Sequence, residues 1–193
     1  YVRGIQKNGI AACPKHFAVN SQELRRMASD SIVDERTLRE IYLTGFEMVV
    51  KEAHPKTIMS AYNLINGTYA NENAHLLQDI LRKDWGFEGA VVTDWGGSND
   101  HALGVKNGST LEMPCPGDDS IRELVKAVET GKITEADVDA RLEELLELVF
   151  TTKAAVDAAP GKFDADAHHA LARRAAAQSI VLLKNENSLL PLA

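Results

Sequence analysis

Three adjacent pairs of side chains in this sequence can do chemistry, and each pair follows a short apolar run. The pairs are Lys15–His16, Tyr62–Asn63 and Asp94–Trp95. A cation and an imidazole can hydrogen-bond to hydroxyl groups, aromatic rings can cover the apolar face of a sugar, and a carboxylate can attack or stabilise a positive charge. If these groups meet in one pocket, they suit a hydroxyl-rich ligand.

Taken singly, each of these residues has a commoner structural role. An aspartate after a strand is more often a helix cap or a turn residue, and a lone histidine such as His16 is usually structural. Trp95 and Met59 could both be ordinary core residues. The functional interpretation therefore depends on the recurrence of chemically capable residues at the ends of three apolar runs.

Apolar runs alternate with helix-like patterns along the chain. Strands are predicted at residues 10–17, 57–62 and 89–94, with a shorter one at 109–113. Helices are predicted at residues 34–52, capped by Asp34, at 71–85, capped by Asn71 and stopped by Gly86, at 120–129, and at 134–150, opened by Thr134 and Asp137. This alternation is typical of a parallel α/β sheet, in which the carboxyl ends of the strands meet at one edge. We therefore expect the three pairs to converge.

Composition excludes several classes of partner. The formal net charge is −7 and no long basic stretch occurs, which argues against nucleic acid. No apolar run is long enough for a membrane span. The spacing of Cys13 and Cys115 fits no metal motif and predicts two free thiols. Low cysteine content favours the cytoplasm, while secretion stays open because the chain begins at Tyr1 rather than at methionine.

The composition changes after Phe150. Residues 151–163 are small and weakly periodic, and they predict a linker that contains Pro160 and Gly161. An alanine-rich helix is predicted at residues 164–178, and a strand is predicted to begin at residues 180–183. Residues 164–193 are therefore interpreted as the truncated start of a second domain.

Four longer stretches resemble glycoside hydrolase family 3 in its β-glucosidase branch. They are KHFAVNSQELRR (15–26), MSAYNLING (59–67), GFEGAVVTDWGG (86–97) and LEMP (111–114). Several long motifs in the right order are a specific signal. The resemblance implies that residues 1–150 are the C-terminal part of a (β/α)₈ TIM-barrel-like domain with parallel strands. Residues 176–192 resemble the entry of the family into its second, α/β sandwich domain.

The resemblance also implies roles for individual residues. Asp94 matches the nucleophile of an exo-acting retaining β-glycosidase, which forms a covalent glycosyl-enzyme. The residues that match the sugar-binding positions are Lys15, His16, Arg26, Met59, Tyr62 and Trp95. No cofactor or metal is expected. The acid/base residue of this branch comes from the second domain, so none is assigned here. Glu23 and Glu112 do not occupy the matching position, and Glu112 is interpreted as structural.

The expected partner is a small carbohydrate or glycoside, with neither nucleic acid nor a membrane. Barrels of this type need about 250 residues, and this chain supplies only part of one. We expect it to be completed by the missing part of the enzyme, by another chain or by a second copy. Residues 109–110, Ser-Thr, also depart from the usual residues before LEMP.

Other functions stay open at this point. β-Xylosidase and α-L-arabinofuranosidase activities occur in the same branch of the family. The β-N-acetylhexosaminidase branch is disfavoured because residues 18–23 do not match the motif that follows KHF there. A non-catalytic carbohydrate-binding fragment would not need Asp94 as a nucleophile. An unrelated phosphate-binding α/β enzyme would need a glycine-rich turn, and residues 96–98 are a poor match for one.

Overall fold

The computed structural model describes residues 1–158 and 161–192. The chain forms two compact units, Tyr1–Ala158 and Ala159–Ala193. The helices of the first unit are α1 (Val2–Gln6), α2 (Glu35–Thr37), α3 (Thr44–Ala53), α4 (His101–Asn107), α5 (Asp118–Glu129) and α6 (Glu135–Ala158), with π-helical segments at Leu38–Leu43 and His75–Asp84 and a 3₁₀ turn at Ala70–Glu72. Its strands are β1 (Asp30–Ser31), β2 (Thr57–Met59), β3 (Leu64–Ile65), β4 (Thr68–Tyr69) and β5 (Ala90–Val92). The predicted α/β class is confirmed.

A parallel sheet lies at the centre of the first unit. Strands β2 and β5 pair in parallel with Ile58 opposite Val91. Phe17 forms a parallel bridge on the outer side of β2, and Leu111 forms one on the outer side of β5. The order across the sheet is therefore residues 12–17, β2, β5 and residues 109–113. The strands predicted at 57–62 and 89–94 are confirmed with shorter bounds.

The two outer segments pair less regularly than the sequence predicts. Residues 10–17 were expected to form a full strand, but Pro14 has no N–H to donate to a ladder. Its carbonyl still accepts from Met59 N at 3.0 Å, and Phe17 N donates to Met59 O at 2.8 Å. At 109–113 the ladder is interrupted because Met113 N donates to the side chain of Thr93 rather than to a backbone oxygen. Each segment is extended but carries only a single-residue bridge.

A small second sheet was not predicted. Strand β3 pairs in parallel with β1 and antiparallel with β4. The turn between β3 and β4 is Asn66-Gly67, and both residues have positive φ, at 50° and 86°. Asn-Gly is the preferred pair for a two-residue hairpin because both positions need left-handed backbone. This hairpin directly follows the carboxyl end of β2.

The helix caps agree with the sequence prediction at Asp34 and Thr134 and differ at Asn71. Asp34 accepts from Thr37 N at 3.0 Å. The side chain of Thr134 accepts from Asp137 N at 3.2 Å, and the Asp137 carboxylate accepts from Thr134 N at 2.8 Å. Asn71 was expected to cap the helix after β2, and this prediction is wrong. Asn73 instead accepts from Leu76 N at 3.0 Å.

Asn71 faces the sheet because it lies in the 3₁₀ turn that precedes this helical segment. There it is buried and accepts from the Ser60 hydroxyl at 2.9 Å. The helical segment after it ends near Gly86, whose φ of 69° suits a residue without a side chain. The predicted stop at Gly86 is confirmed.

The core lies between the sheet and the helices that follow its strands. Its large, fully buried apolar side chains include Phe17, Leu43, Ile58, Leu77, Ile80 and Val91. Phe17 packs edge-to-face against Phe46 at 5.1 Å and against Trp85 at 5.8 Å between ring centroids. The strand that carries Lys15 and His16 is thus anchored by the next residue in the chain.

Helix α6 continues beyond its predicted end at residue 150, so residues 151–158 of the predicted linker are helical. Alanine favours helix, the Thr152 hydroxyl donates back to Leu148 O at 2.7 Å, and Lys153 pairs with Asp157 at 2.8 Å. Residues 159 and 160 of the predicted linker lie outside the described residues.

The second unit contains α7 (Ala165–Ser179) and a 3₁₀ turn at Glu186–Ser188. The predicted helix is confirmed, with Asp164 accepting from Ala167 N at 2.9 Å. The strand predicted at residues 180–183 is wrong here: no strand occurs within residues 161–192, and Ile180, Val181 and Leu183 are exposed. A strand needs a neighbour to satisfy its backbone. Whether this unit opens a second domain stays a prediction.

The residues that the structure describes contain neither a membrane-spanning helix nor a cluster of metal ligands. No helix among them is long and apolar enough to cross a membrane. They contain no group of three or more His, Cys, Asp or Glu side chains arranged to hold a metal ion. Cys13 and Cys115 are free thiols and both are exposed.

The close approach of α6 to the N-terminal segment generates a stability prediction. Gly9 has φ 82°, and a methyl group placed on it would collide with the Cβ of Ala155. Gly67 has a similar φ of 86°, but a methyl group there meets no described atom within 4 Å. We expect Gly67→Ala to cost about 1–2 kcal/mol of unfolding free energy from backbone strain alone. Gly9→Ala should cost a further 1–3 kcal/mol, roughly, from overpacking.

Urea denaturation of the chain measures both losses. Adding Ala155→Gly to Gly9→Ala should recover the overpacking part, after its own helix cost of about 1 kcal/mol is allowed for. Equal losses at the two glycines would mean that residue 9 does not contact α6.

Candidate active site

The carboxyl ends of the three predicted strands meet at one edge of the sheet. Ala61 N donates to Phe17 O at 2.9 Å, and Ser60 N donates to Val92 O at 2.9 Å. These bonds fix the relative register of the three strands. As a result His16, Tyr62 and Asp94 lie together, although dozens of residues separate them in the sequence.

Each carboxylate oxygen of Asp94 has a polar neighbour. Its Oδ2 is 3.1 Å from Nε2 of His16, and its Oδ1 accepts from Trp95 N at 2.8 Å. The residue is only 9% exposed. Because a carboxylate can only accept, the imidazole can donate to Asp94 when its Nε2 carries the hydrogen.

The His16 side chain is in its neutral form at neutral pH. Burial lowers its pKa most, and the charges of Lys15 and Arg26 lower it further, while the charge of Asp94 raises it. The net shift is downward from the ordinary value of 6.5. A neutral imidazole can donate to Asp94 without neutralising the carboxylate.

Tyr62 forms the opposite side of the cluster. Its hydroxyl donates to Trp95 O at 2.8 Å, and the residue is buried. Burial raises its pKa most, followed by the negative charge of Asp94. The Arg26 guanidinium lies 4.9 Å from the centre of the Tyr62 ring, in a cation–π position. Arg26 also pairs with Glu23 at 3.1 Å, so Glu23 orients the arginine.

The remaining predicted site residues lie close by without joining this network. Trp95 is 52% exposed, so its indole is available to a ligand while its backbone is fixed by two hydrogen bonds. Lys15 is exposed and lies near enough to shift the pKa of His16. Met59 is partly buried on β2, opposite Val92. Among the described residues, neither Lys15 nor Met59 makes a side-chain hydrogen bond to the cluster.

Three supporting residues were missed by the sequence analysis. The buried hydroxyl of Thr93 accepts from Met113 N at 2.8 Å and donates to Met113 O at 3.2 Å. Gly96 N donates to the same carbonyl at 2.9 Å. The only sequence signal was the position of the motif TDWGG ahead of LEMP. Nothing in the spacing indicated that the two motifs would bond to each other.

Glu112 lies near the end of residues 109–113 and contacts α4. Its carboxylate lies 2.8 Å from Nδ1 of His101, in the first turn of α4. The Ser98 hydroxyl lies 3.3 Å from the same nitrogen. This contact ties the loop after Asp94 to the end of the fourth strand.

The opposite end of the sheet holds a separate cavity of about 220 Å³. It lies at the amino ends of β2 and β5, and Lys56, Phe87 and Leu148 are among the residues that line it. In parallel α/β barrels, chemistry occurs at the carboxyl ends of strands and the other face serves stability. The Asp94 cluster is therefore the candidate active site. Its buried, hydrogen-bonded carboxylate beside an exposed indole can attack an electrophilic carbon of a ring-shaped ligand.

Comparison with known proteins identifies the family of the chain. The glycosyl hydrolase family 3 N-terminal domain matches residues 1–148. The chain belongs to glycosyl hydrolase family 3. Thermostable β-glucosidase B of Acetivibrio thermocellus is 47% identical over 192 residues, which are 100% of this chain and 25% of that protein. An exo-α-(1→6)-L-arabinopyranosidase of Bifidobacterium longum is 44% identical over 191 residues, or 99% of this chain and 25% of that protein.

Solved structures of family 3 enzymes have the same fold over this region. β-Glucosidase 3B of Thermotoga neapolitana in complex with glucose superimposes with a TM-score of 0.87 at 40% identity. The match covers 100% of this chain and 28% of that one. The chain thus spans about a quarter of the length of the family 3 proteins that it matches, and the predicted TIM-barrel-like fold is confirmed for this portion.

The charges around Asp94 generate a prediction that does not depend on activity. Asp94→Asn removes the negative charge that raises the pKa values of both His16 and Tyr62. We expect both values to fall, because a nearby anion stabilises the protonated form of each group. The pKa of Tyr62 should stay above its ordinary value of 10.0, because burial is the larger cause of its shift. NMR titration of the imidazoles and ultraviolet titration of the phenols measure the two changes.

The variants His16→Asn and Tyr62→Phe assign the two signals. The lowered pKa of His16 also predicts how the stability of the chain changes with pH. Between the ordinary pKa of 6.5 and the lower pKa of His16 in the folded chain, the unfolded chain binds more protons than the folded chain. The unfolding free energy therefore falls as the pH falls through this window. Asp94→Asn should extend that window to lower pH. An unchanged pKa at either residue would show that the charge of Asp94 does not act on it.

Proposed function

We propose that these residues form the nucleophile half of an exo-acting retaining β-glycosidase, with β-glucosides as the first substrate class. The observation that carries the proposal is the position of the Asp94 carboxylate. It lies at a strand end, with one oxygen 3.1 Å from Nε2 of His16 and the other accepting from Trp95 N. Family membership and the names of the relatives support the same function.

The proposed reaction uses Asp94 as a covalent nucleophile. A carboxylate oxygen of Asp94 forms a bond to the anomeric carbon while the bond from that carbon to the leaving oxygen breaks. The leaving oxygen takes a proton from an acid that we assign outside residues 1–193. That group, now a base, removes a proton from water, and the water oxygen displaces Asp94. Two inversions at one carbon retain the configuration, and the chemistry requires no metal or cofactor.

The other site residues bind the sugar in this proposal. Lys15, His16 and Arg26 bond to its hydroxyl groups, and Met59, Tyr62 and Trp95 line the pocket. The neutral state of His16 matters here because a neutral imidazole presents a hydrogen to Asp94 through Nε2 and keeps its other nitrogen for a ligand. The exposed indole of Trp95 can cover the apolar face of the ring.

The activity belongs, in this proposal, to a longer polypeptide. Residues 1–150 act as the C-terminal part of the barrel, residues 151–163 connect it onward, and residues 164–193 begin the second α/β domain. Large apolar side chains on the helix before β2 support this, because Ile41 and Met48 are 69% and 55% exposed. The missing part of the enzyme, another chain or a second copy would cover them. A monomer by light scattering at high concentration would count against association of the isolated chain.

A second substrate class is worth testing because of one comparison. Two relatives named exo-α-(1→6)-L-arabinopyranosidase are each 44% identical to this chain. A panel of aryl glycosides would compare β-glucoside and α-L-arabinopyranoside, with β-xyloside, α-L-arabinofuranoside and β-N-acetylglucosaminide beside them. In the complete polypeptide the ranking of kcat/KM names the sugar, and binding there without turnover of any of them would favour a carbohydrate-binding function.

The nucleophile is tested by covalent trapping. We expect a 2-deoxy-2-fluoro β-glucoside with a good leaving group to add one sugar to Asp94, because such a reagent makes little demand on the absent acid. Peptide mapping by mass spectrometry locates the label. Asp94→Asn should remove the label and leave sugar binding largely intact, since an amide keeps the shape but is not a nucleophile.

The same reagent is applied to these 193 residues and to the complete polypeptide that carries them. Label on Asp94 in both would show that this half-site works alone. Label on Asp94 only in the complete polypeptide would show that the other regions are needed. Label on a different carboxylate of the complete polypeptide would refute the assignment.

A further inference from the structure

Asp94 is the first residue after β5 that leaves the parallel ladder. Thr93 N still donates to Leu111 O at 3.0 Å, so the backbone pairing with residues 109–113 continues to Thr93. Beyond it the chain turns, with Gly97 N donating to Asp94 O at 2.9 Å and Gly96 at φ 76°. The backbone of Asp94 is therefore not fixed by a sheet partner of its own, and other contacts must hold it.

Two of those contacts, one on each side of Asp94, lead to Met113. The Thr93 hydroxyl accepts from Met113 N at 2.8 Å and donates to Met113 O at 3.2 Å. On the other side of Asp94, Gly96 N donates to Met113 O at 2.9 Å. Residues 93 and 96 are thus anchored to the same residue, and Asp94 lies between the two anchors. Thr93 is fully buried, so water does not compete for these bonds.

Packing alone does not explain why residue 93 carries a hydroxyl group. A buried side chain of this shape could equally be valine, which fits strands well. Valine would leave Met113 N without its acceptor and would detach one of the two anchors. A catalytic carboxylate must be held within a fraction of an ångström of its productive position.

We propose that Thr93 is a positioning residue for the nucleophile. Its hydroxyl extends the pairing of β5 with residues 109–113 by a side-chain contact and fixes where the backbone of Asp94 leaves the sheet. The inference rests on the proposed role of Asp94. It adds that the residue before the nucleophile must carry a hydroxyl, and that Met113 acts through its backbone rather than through its side chain.

Three substitutions test this in the complete polypeptide. Thr93→Val keeps the shape and removes the hydroxyl, and Thr93→Ser keeps the hydroxyl and removes the methyl group. Thr93→Ala is a second hydroxyl-free variant, for use if the Thr93→Val protein does not fold. The rate of Asp94 labelling by the fluoro-sugar is measured for each, with kcat and KM for an aryl glycoside. Gly9→Ala serves as a control that lowers stability without touching residues 93–113.

We expect Thr93→Val and Thr93→Ala to slow labelling by about 10- to 100-fold, the size of effect that small misplacement of a reacting group produces. The loss should fall on kcat more than on KM, because the sugar-binding side chains keep their places. Thr93→Ser and Gly9→Ala should label at close to the wild-type rate. Amide exchange at Met113 should accelerate in the two hydroxyl-free variants only.

Two outcomes would overturn the proposal, and they are distinguishable. If the wild type labels at Asp94 and Thr93→Val labels equally fast, Thr93 does not position the nucleophile. If the wild type labels at another residue, the proposed function itself fails and the role of Thr93 fails with it. A slow Thr93→Ser variant that matches Thr93→Val would also refute it, because the methyl group and not the hydroxyl would then be responsible.

Discussion

The parallel register of β2 against β5 is the constraint on which the site depends. With Ile58 opposite Val91, the residues that follow each strand emerge at the same level of the sheet. A shift of one residue would turn every side chain of a strand to the other face, and Asp94 would then lose His16 and Tyr62 together. The fully buried side chains of Phe17, Ile58 and Val91 make such a shift costly, because each would have to leave the core.

The electrostatics of the site follow from that placement. Burial acts against charge at every group, and it is the leading cause of the shifts at His16 and Tyr62. Burial favours a neutral imidazole and a neutral phenol, and these are the two neighbours that a carboxylate nucleophile needs. The cations Lys15 and Arg26 lie further toward solvent. They can balance the charge of Asp94 without forming a buried ion pair that would reduce its reactivity.

The sequence predicted those parts of the fold that depend on local patterns. Continuous apolar runs located β2 and β5, and side-chain oxygens in the right places located the caps at Asp34 and Thr134. The convergence at the sheet edge followed from topology alone. The hairpin of β3 and β4 was missed although Asn66-Gly67 is a recognised turn, because its strands are only two residues long and have no period to detect.

Other features depend on partners that lie far away in the sequence. The bond between Thr93 and Met113 spans 20 residues, and nothing local indicates that a threonine before the nucleophile will bind a backbone rather than pack. Residues 151–158 lie close to the N-terminal segment, because Gly9 approaches Ala155. A composition shift toward small residues suggested a linker, but alanine and threonine are also compatible with a helix once one side is packed.

The side chain of Thr110 holds residues 109–113 against β5 and α6. Thr110 accepts from Val91 N at 3.0 Å and donates to Glu144 of α6 at 2.5 Å. Glu144 also pairs with Arg82 at 3.0 Å and with Arg141 at 2.6 Å. All three ionic side chains are only 13% exposed, so their pairing offsets a large desolvation cost. Buried ion networks fix the relative positions of their side chains more than they increase net stability.

Here that geometry is the placement of residues 109–113. Thr110 lies three residues before Met113, the residue to which Thr93 and Gly96 are bonded. A displacement of the strand at Thr110 would be transmitted along an extended backbone to Met113 and from there to both anchors of Asp94. The helix that closes the first unit and the loop that carries the candidate nucleophile are joined through a single short strand.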